Sequence, residues 1–85
     1  MFLHTTVVRP GADYHLYVEF NDGSGGEIDL SQELWGEIFE PLKDPRLFAT
    51  ARQDAVMETV VWANGADMAP EFLQGLLLAQ NAGAA

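Results

Sequence analysis

The 85-residue chain contains no cysteine. Disulfide stapling and thiolate metal sites are thereby excluded, and a reducing, cytoplasmic setting is expected. Positive charge is scarce as well. Arg9, Lys43, Arg46 and Arg52 stand against thirteen acidic residues, for a net charge of −9. Four scattered cations make no basic stripe, so direct binding to a phosphate backbone is disfavoured. No apolar run approaches the ~18–20 residues of a membrane span. Met1–Pro10 carries no basic run followed by an apolar block, so no secretory signal is expected.

What is present suits a packed domain. Hydrophobic residues make up 48% of the chain and aromatics 11%, which argues against disorder. The length fits one domain with a modest core. Residues 3–9 are β-branched and predict a strand ended by Pro10 and Gly11. Residues 13–20 alternate, with Leu16, Val18 and Phe20 on one face, and 27–30 alternate again through Ile28 and Leu30. Between them, Asn21 to Gly26 is rich in turn formers, so a hairpin is expected near Asp22–Gly25.

Ser31 has the chemistry of a helix cap. Leu34, Trp35, Ile38 and Phe39 follow at helical spacing, interrupted by Gly36 and stopped by Pro41. Asp44-Pro45 predicts a second helix start, with Leu47 and Phe48 on its buried face. Residues 50–55 read as a strand or connector, 57–62 as a strand and 63–67 as a turn. Pro70 opens a last helix striped by Phe72, Leu73, Leu76 and Leu77, with Asp67 preferred to Ala69 as its cap. The expected fold is α+β: a small antiparallel sheet with two or three short helices packed on one face. It forms a single domain over residues 1–80, with 81–85 as a short fraying tail.

Chemistry-bearing constellations are few. His4 and His15 lie on strands near Glu27 and Asp29, but close metal-ligand pairings are missing, so no metal and no cofactor is expected. The glycines of 21–26 precede no helix and no lysine, and a hairpin turn explains them better than a phosphate cradle. Ser24 and Ser31 stand in no nucleophile motif. The most distinctive stretch is Val60 to Asp67. One reading is structural, because Asn64-Gly65 is strong turn chemistry and Asp67 can cap the helix. The other is a small polar pocket walled by Trp62, with Asn64 and Asp67 as its polar groups. Trp35, Phe39, Phe48, Trp62 and Phe72 are the expected core aromatics. One or two of these aromatics should stay partly exposed as anchors for a partner, and Trp35 and Phe39 join Trp62, Asn64 and Asp67 as candidate binding residues.

Tyr14 to Gly23, Ile28-Asp29-Leu30, Ile38 to Phe48 and Val61 to Leu73, in that order, resemble a bacterial family, Domain of Unknown Function 2442. The Leu42-Lys43-Asp44-Pro45-x-Leu47-Phe48 and Trp62-x-Asn64-Gly65-Ala66-Asp67 pieces are specific in combination. The chain departs at Ala63, where such proteins often carry proline. The resemblance implies a compact α+β domain with no established catalysis, often encoded beside another small protein in an arrangement like a toxin–antitoxin pair. Some such proteins carry a helix-turn-helix domain downstream. Only Asn81 to Ala85 follow the last helix here, so none is expected.

The expectation is therefore a non-enzymatic protein–protein interaction module, an antitoxin-like member of a two-gene pair. The acidity has two readings: it keeps a small protein soluble, or it meets a basic partner whose encounter opposite charge speeds. Small-ligand binding near Trp62, Asn64 and Asp67 is the alternative. A homodimer is a natural assembly for a chain with an unpaired edge strand.

Overall fold

The computed structural model describes residues 2–82. The alternating segments form an antiparallel meander, with β1 (Thr5–Pro10), β2 (His15–Phe20) and β3 (Gly25–Asp29) side by side in that order. Leu16, Val18 and Phe20 point inward from the central strand and Ile28 from β3, all buried. Their period of two is what places them on one face.

Both hairpin turns have local causes. The β1–β2 turn puts Asp13 and Tyr14 at φ +55° and +63°, and the His15 N–H donates to the Ala12 carbonyl at 3.1 Å. This is the handedness of a type I′ turn, usually built on glycine or asparagine. The expected strand start at residue 13 is therefore corrected to His15. Pro10 stays inside β1 because the Gly11 N–H reaches the His15 carbonyl at 2.8 Å, carrying the ladder past a residue that has no N–H. In the β2–β3 turn, the Asp22 carboxylate accepts from the Ser24 N–H (2.9 Å) and hydroxyl (2.6 Å).

A second antiparallel sheet was not anticipated. It comprises β4 (Arg52–Asp54), β5 (Thr59–Val61) and β6 (Asp67–Met68), again in chain order. The strand expected over 57–62 is shorter because Glu58 has φ +58° and belongs to the preceding turn. That turn is fixed by Asp54, whose carboxylate accepts from the Val56 and Met57 N–H groups. The sheets are stitched at Thr5. Its N–H donates to the Glu58 carbonyl at 3.2 Å, its hydroxyl to the Gln53 side chain, and its carbonyl accepts from Gln53 Nε2 at 2.7 Å.

The helices are fewer than expected. One thirteen-residue helix, α2 (Pro70–Ala82), accompanies a 3-10 turn (Glu40–Lys43) and the four-residue α1 (Pro45–Phe48). The Asp44 cap is present, its carboxylate accepting from the Arg46 N–H at 3.0 Å. Asp67 does not cap α2 but lies two residues earlier in β6. Helix α2 docks on the edge strand β3. The Gln80 amide accepts from the Asp29 N–H (2.8 Å) and donates to the Asp29 carbonyl (2.9 Å), much as a neighbouring strand would. The helix runs to Ala82, so Asn81 belongs to it rather than to a tail; residues 83–85 lie outside the described residues. One hydrophobic cluster, including Leu16, Ile28, Leu42, Phe48, Trp62 and Leu73, joins both sheets and α2.

Candidate functional site

The segment between Leu30 and Glu40 decides the site, and it is not the helix its spacing predicts. The Asp29 carboxylate accepts from the Ser31 N–H at 2.8 Å, so Ser31 is held in a turn instead of capping a helix. Gly36 sits at φ +89°, outside helical backbone, and the Glu40 N–H closes onto its carbonyl at 2.8 Å. The consequence is a loop anchored by buried Leu34. It leaves Trp35 72% exposed, Ile38 partly exposed and Phe39 half-buried. Trp35 is thus no core residue. Phe72 is not either, at 44% exposed, because α2 buries Leu73 and Leu77 instead.

Asn64 holds this loop from the other side. Its Nδ2 donates to the Ile38 carbonyl at 2.9 Å, and its Oδ1 accepts from the Ala66 N–H at 3.1 Å. Gly65, at φ +88°, completes the turn, with its N–H on the Trp62 carbonyl at 3.0 Å. Trp62 is buried, and its indole N–H donates to the Phe48 carbonyl at 3.1 Å. Of the pocket first drawn from Trp62, Asn64 and Asp67, two members are therefore engaged in bracing the fold. Among the described residues, no buried side-chain nitrogen or oxygen lacks a partner.

The exposed aromatics meet the start of α2 around a cavity of about 450 Å³. Trp35, Phe39, Met68 and Phe72 supply its predominantly apolar walls, and Glu33 and Asp67 are the two acidic residues among its lining. Three of the residues singled out in the sequence, Trp35, Phe39 and Asp67, come together here. Phe72, expected among the core aromatics, joins them here, and Glu33 is a lining residue that the sequence reading did not single out. Such a site, apolar with a few polar groups, has the make-up of a binding pocket.

The remaining candidates fall elsewhere. His15 pairs across the ladder with Asp29, and its ring contacts the Ala12 carbonyl at 3.1 Å. His4 lies 4.0 Å from Glu58. Among the described residues, no group of three or more His, Asp or Glu side chains is placed to hold a metal ion. Three carboxylates are held below their ordinary pKa. Asp22 is lowered by the Ser24 hydroxyl and N–H, Asp29 by the Ser31 N–H, and Asp54 by the Met57 N–H and Arg52. Tyr17 is raised, because its hydroxyl donates to Glu19. Each of these has a local structural explanation. Among the described residues, no helix is long and apolar enough to cross a membrane.

The family model for proteins of unknown function designated DUF2442 matches residues 5–75. The chain belongs to the DUF2442 family. No curated protein and no solved structure matches it. The DUF2442 segments that carried the resemblance are locked to each other. Trp62 bonds the Phe48 carbonyl with ring centroids 6.0 Å apart, and Asn64 bonds Ile38. Asp44 caps α1 between them. The motif side chains of this DUF2442 domain thus build the scaffold, and Trp35 stands outside that scaffold on the surface.

Proposed function

We propose that this domain is a non-enzymatic protein–protein interaction module, acting in a cytoplasmic setting, whose docking face is the Trp35–Phe39–Phe72 cavity. The observation that carries the reading is Trp35, a large aromatic left exposed beside an apolar hollow by a loop that Asn64 pins in place. Covering one such side chain releases about 2–3 kcal/mol, and aromatic anchors of this kind dominate interface energetics. The net charge of −9 and the carboxylates of the cavity favour a basic partner. An antitoxin-like place in a two-gene pair fits that chemistry.

The test is co-expression with the product of the neighbouring gene, followed by co-purification. Wild-type protein should retain the partner and release it as salt rises, whereas Trp35→Ala and Phe72→Ala should not retain it. Leu78→Ala, exposed and away from the cavity lining, serves as the control and should bind normally. Separate elution of the two wild-type proteins at micromolar concentration removes the pairing. Retention by both aromatic variants removes the docking face.

The small-ligand alternative moves to this same hollow, since Trp62 and Asn64 are committed to backbone carbonyls. A ligand that binds only the folded state raises its stability. A thermal-shift screen repeated on Trp35→Ala therefore separates it from protein docking.

A further inference from the structure

Resting on the reading of the cavity as a docking face, we infer that its occupant is a single cationic side chain, arginine or lysine, presented by the partner. Trp35, Phe39 and Phe72 stand around one hollow, and Met68 forms part of its apolar wall. An aliphatic stem packs against such a wall while its charged head stays among polar groups. Glu33 and Asp67 line the same hollow. Among the described residues the ion pairs are His4–Glu58, Arg46–Asp44 and Arg52–Asp54, so neither cavity carboxylate is neutralised.

Nor does any lysine or arginine side chain of this chain fill the seat. None of Arg9, Lys43, Arg46 and Arg52 lines the cavity, and Arg9 already lies over the Tyr17 ring at 5.9 Å. A hollow with aromatic walls, bordered by two acidic residues that have no ion-pair partner among the described residues, favours positive charge from outside. Ring quadrupoles and carboxylates attract the same head group. An anionic occupant would be repelled by Glu33 and Asp67 at the border of the hollow.

The two tryptophans provide the experiment. Blocked Gly-Ser-X-Ser-Gly peptides, with X as arginine, lysine, citrulline or norleucine, are titrated into ¹⁵N-labelled protein up to about 10 mM, where weak single-residue anchors register. The arginine and lysine peptides should move the Trp35 indole signal and leave that of Trp62, sealed on the Phe48 carbonyl, in place. Citrulline and norleucine should move neither. The double variant Glu33→Gln, Asp67→Asn should weaken arginine-peptide binding about fivefold or more.

Equal movement of Trp35 by the neutral peptides overturns the cationic seat. So does a still Trp35 signal with both cationic peptides, or unchanged affinity in the double variant. The docking face is judged separately, by whether Trp35→Ala still retains the whole partner.

Discussion

Replacing Asn64 by alanine removes two hydrogen bonds at once: the donation to the Ile38 carbonyl at 2.9 Å and the acceptance from the Ala66 N–H at 3.1 Å. Each such bond is worth about 0.5–1.5 kcal/mol net. Asn64 is half-buried, so water recovers part of the loss, leaving about 1–2 kcal/mol. In a domain of this size that lowers Tm by about 5–15 °C. Urea unfolding followed by far-UV circular dichroism reads the change as a lower midpoint with the same slope. Asn64→Asp is the informative companion. It keeps the acceptor for Ala66 but sets a carboxylate against the Ile38 carbonyl, so it should cost at least as much as alanine. The amides of residues 35–39 should also exchange faster in both variants, because their clamp is gone. An Asn64→Ala protein within about 0.5 kcal/mol of wild type, as for an ordinary surface change, would refute the bracing role.

Trp62→Phe should destabilise by about 2–4 kcal/mol in the same assay, since it leaves the buried Phe48 carbonyl without its 3.1 Å donor and opens space in the core. Gly65→Ala should cost about 1–2 kcal/mol from backbone alone, as φ is +88° and no atom crowds a new methyl group. Gly26→Ala should cost more, because its methyl group would also lie 2.9 Å from Leu77 Cδ1; denaturant titration of the pair checks the order. Asp22, Asp29 and Asp54 have lowered folded-state pKa values. Their contribution is therefore present above the unfolded carboxylate value of about 3.9 and lost as pH falls below it. Stability measured from pH 6 down to pH 2.5 should drop through that window, and by less in Asp29→Asn.

Much of the fold was legible because its causes are local. Leu16, Val18 and Phe20 alternate, Asp22 to Gly25 holds turn formers, and Asp44-Pro45 starts a helix; all three appear as read. The last helix was visible in the stripe through Leu73 and Leu77. The failures have other causes: competing local options, contacts distant in sequence, and strands too short to show a period. Leu34, Trp35, Ile38 and Phe39 satisfy helical spacing, yet the Asp29 carboxylate takes the Ser31 N–H and Gly36 adopts positive φ. Asp13 and Tyr14 take a turn conformation their residue types disfavour. Tyr14 is held there by its hydroxyl on the Lys43 carbonyl and its edge-on contact with Phe48, neither of which is adjacent in sequence. The second sheet has strands of two or three residues, too short for alternation to register. At the site, Trp35, Phe39 and Asp67 could be named singly. Their meeting with Glu33 and Phe72 required knowing that the loop before the 3-10 turn faces the start of α2. The one available signal was Phe72 beside the helix-opening Pro70, where a first-turn aromatic has little core to enter.

The two tryptophans stand apart: Trp62 is buried and bonded to the Phe48 carbonyl, and Trp35 is exposed and proposed to meet the partner. Calorimetric titration of the neighbouring gene's product into wild-type and Trp35→Ala protein tests this division most directly, with urea unfolding of both run alongside. Stability should be unchanged, within about 0.5 kcal/mol, while binding weakens about thirtyfold, the scale of a lost aromatic anchor. Undiminished binding by a folded Trp35→Ala protein would contradict it.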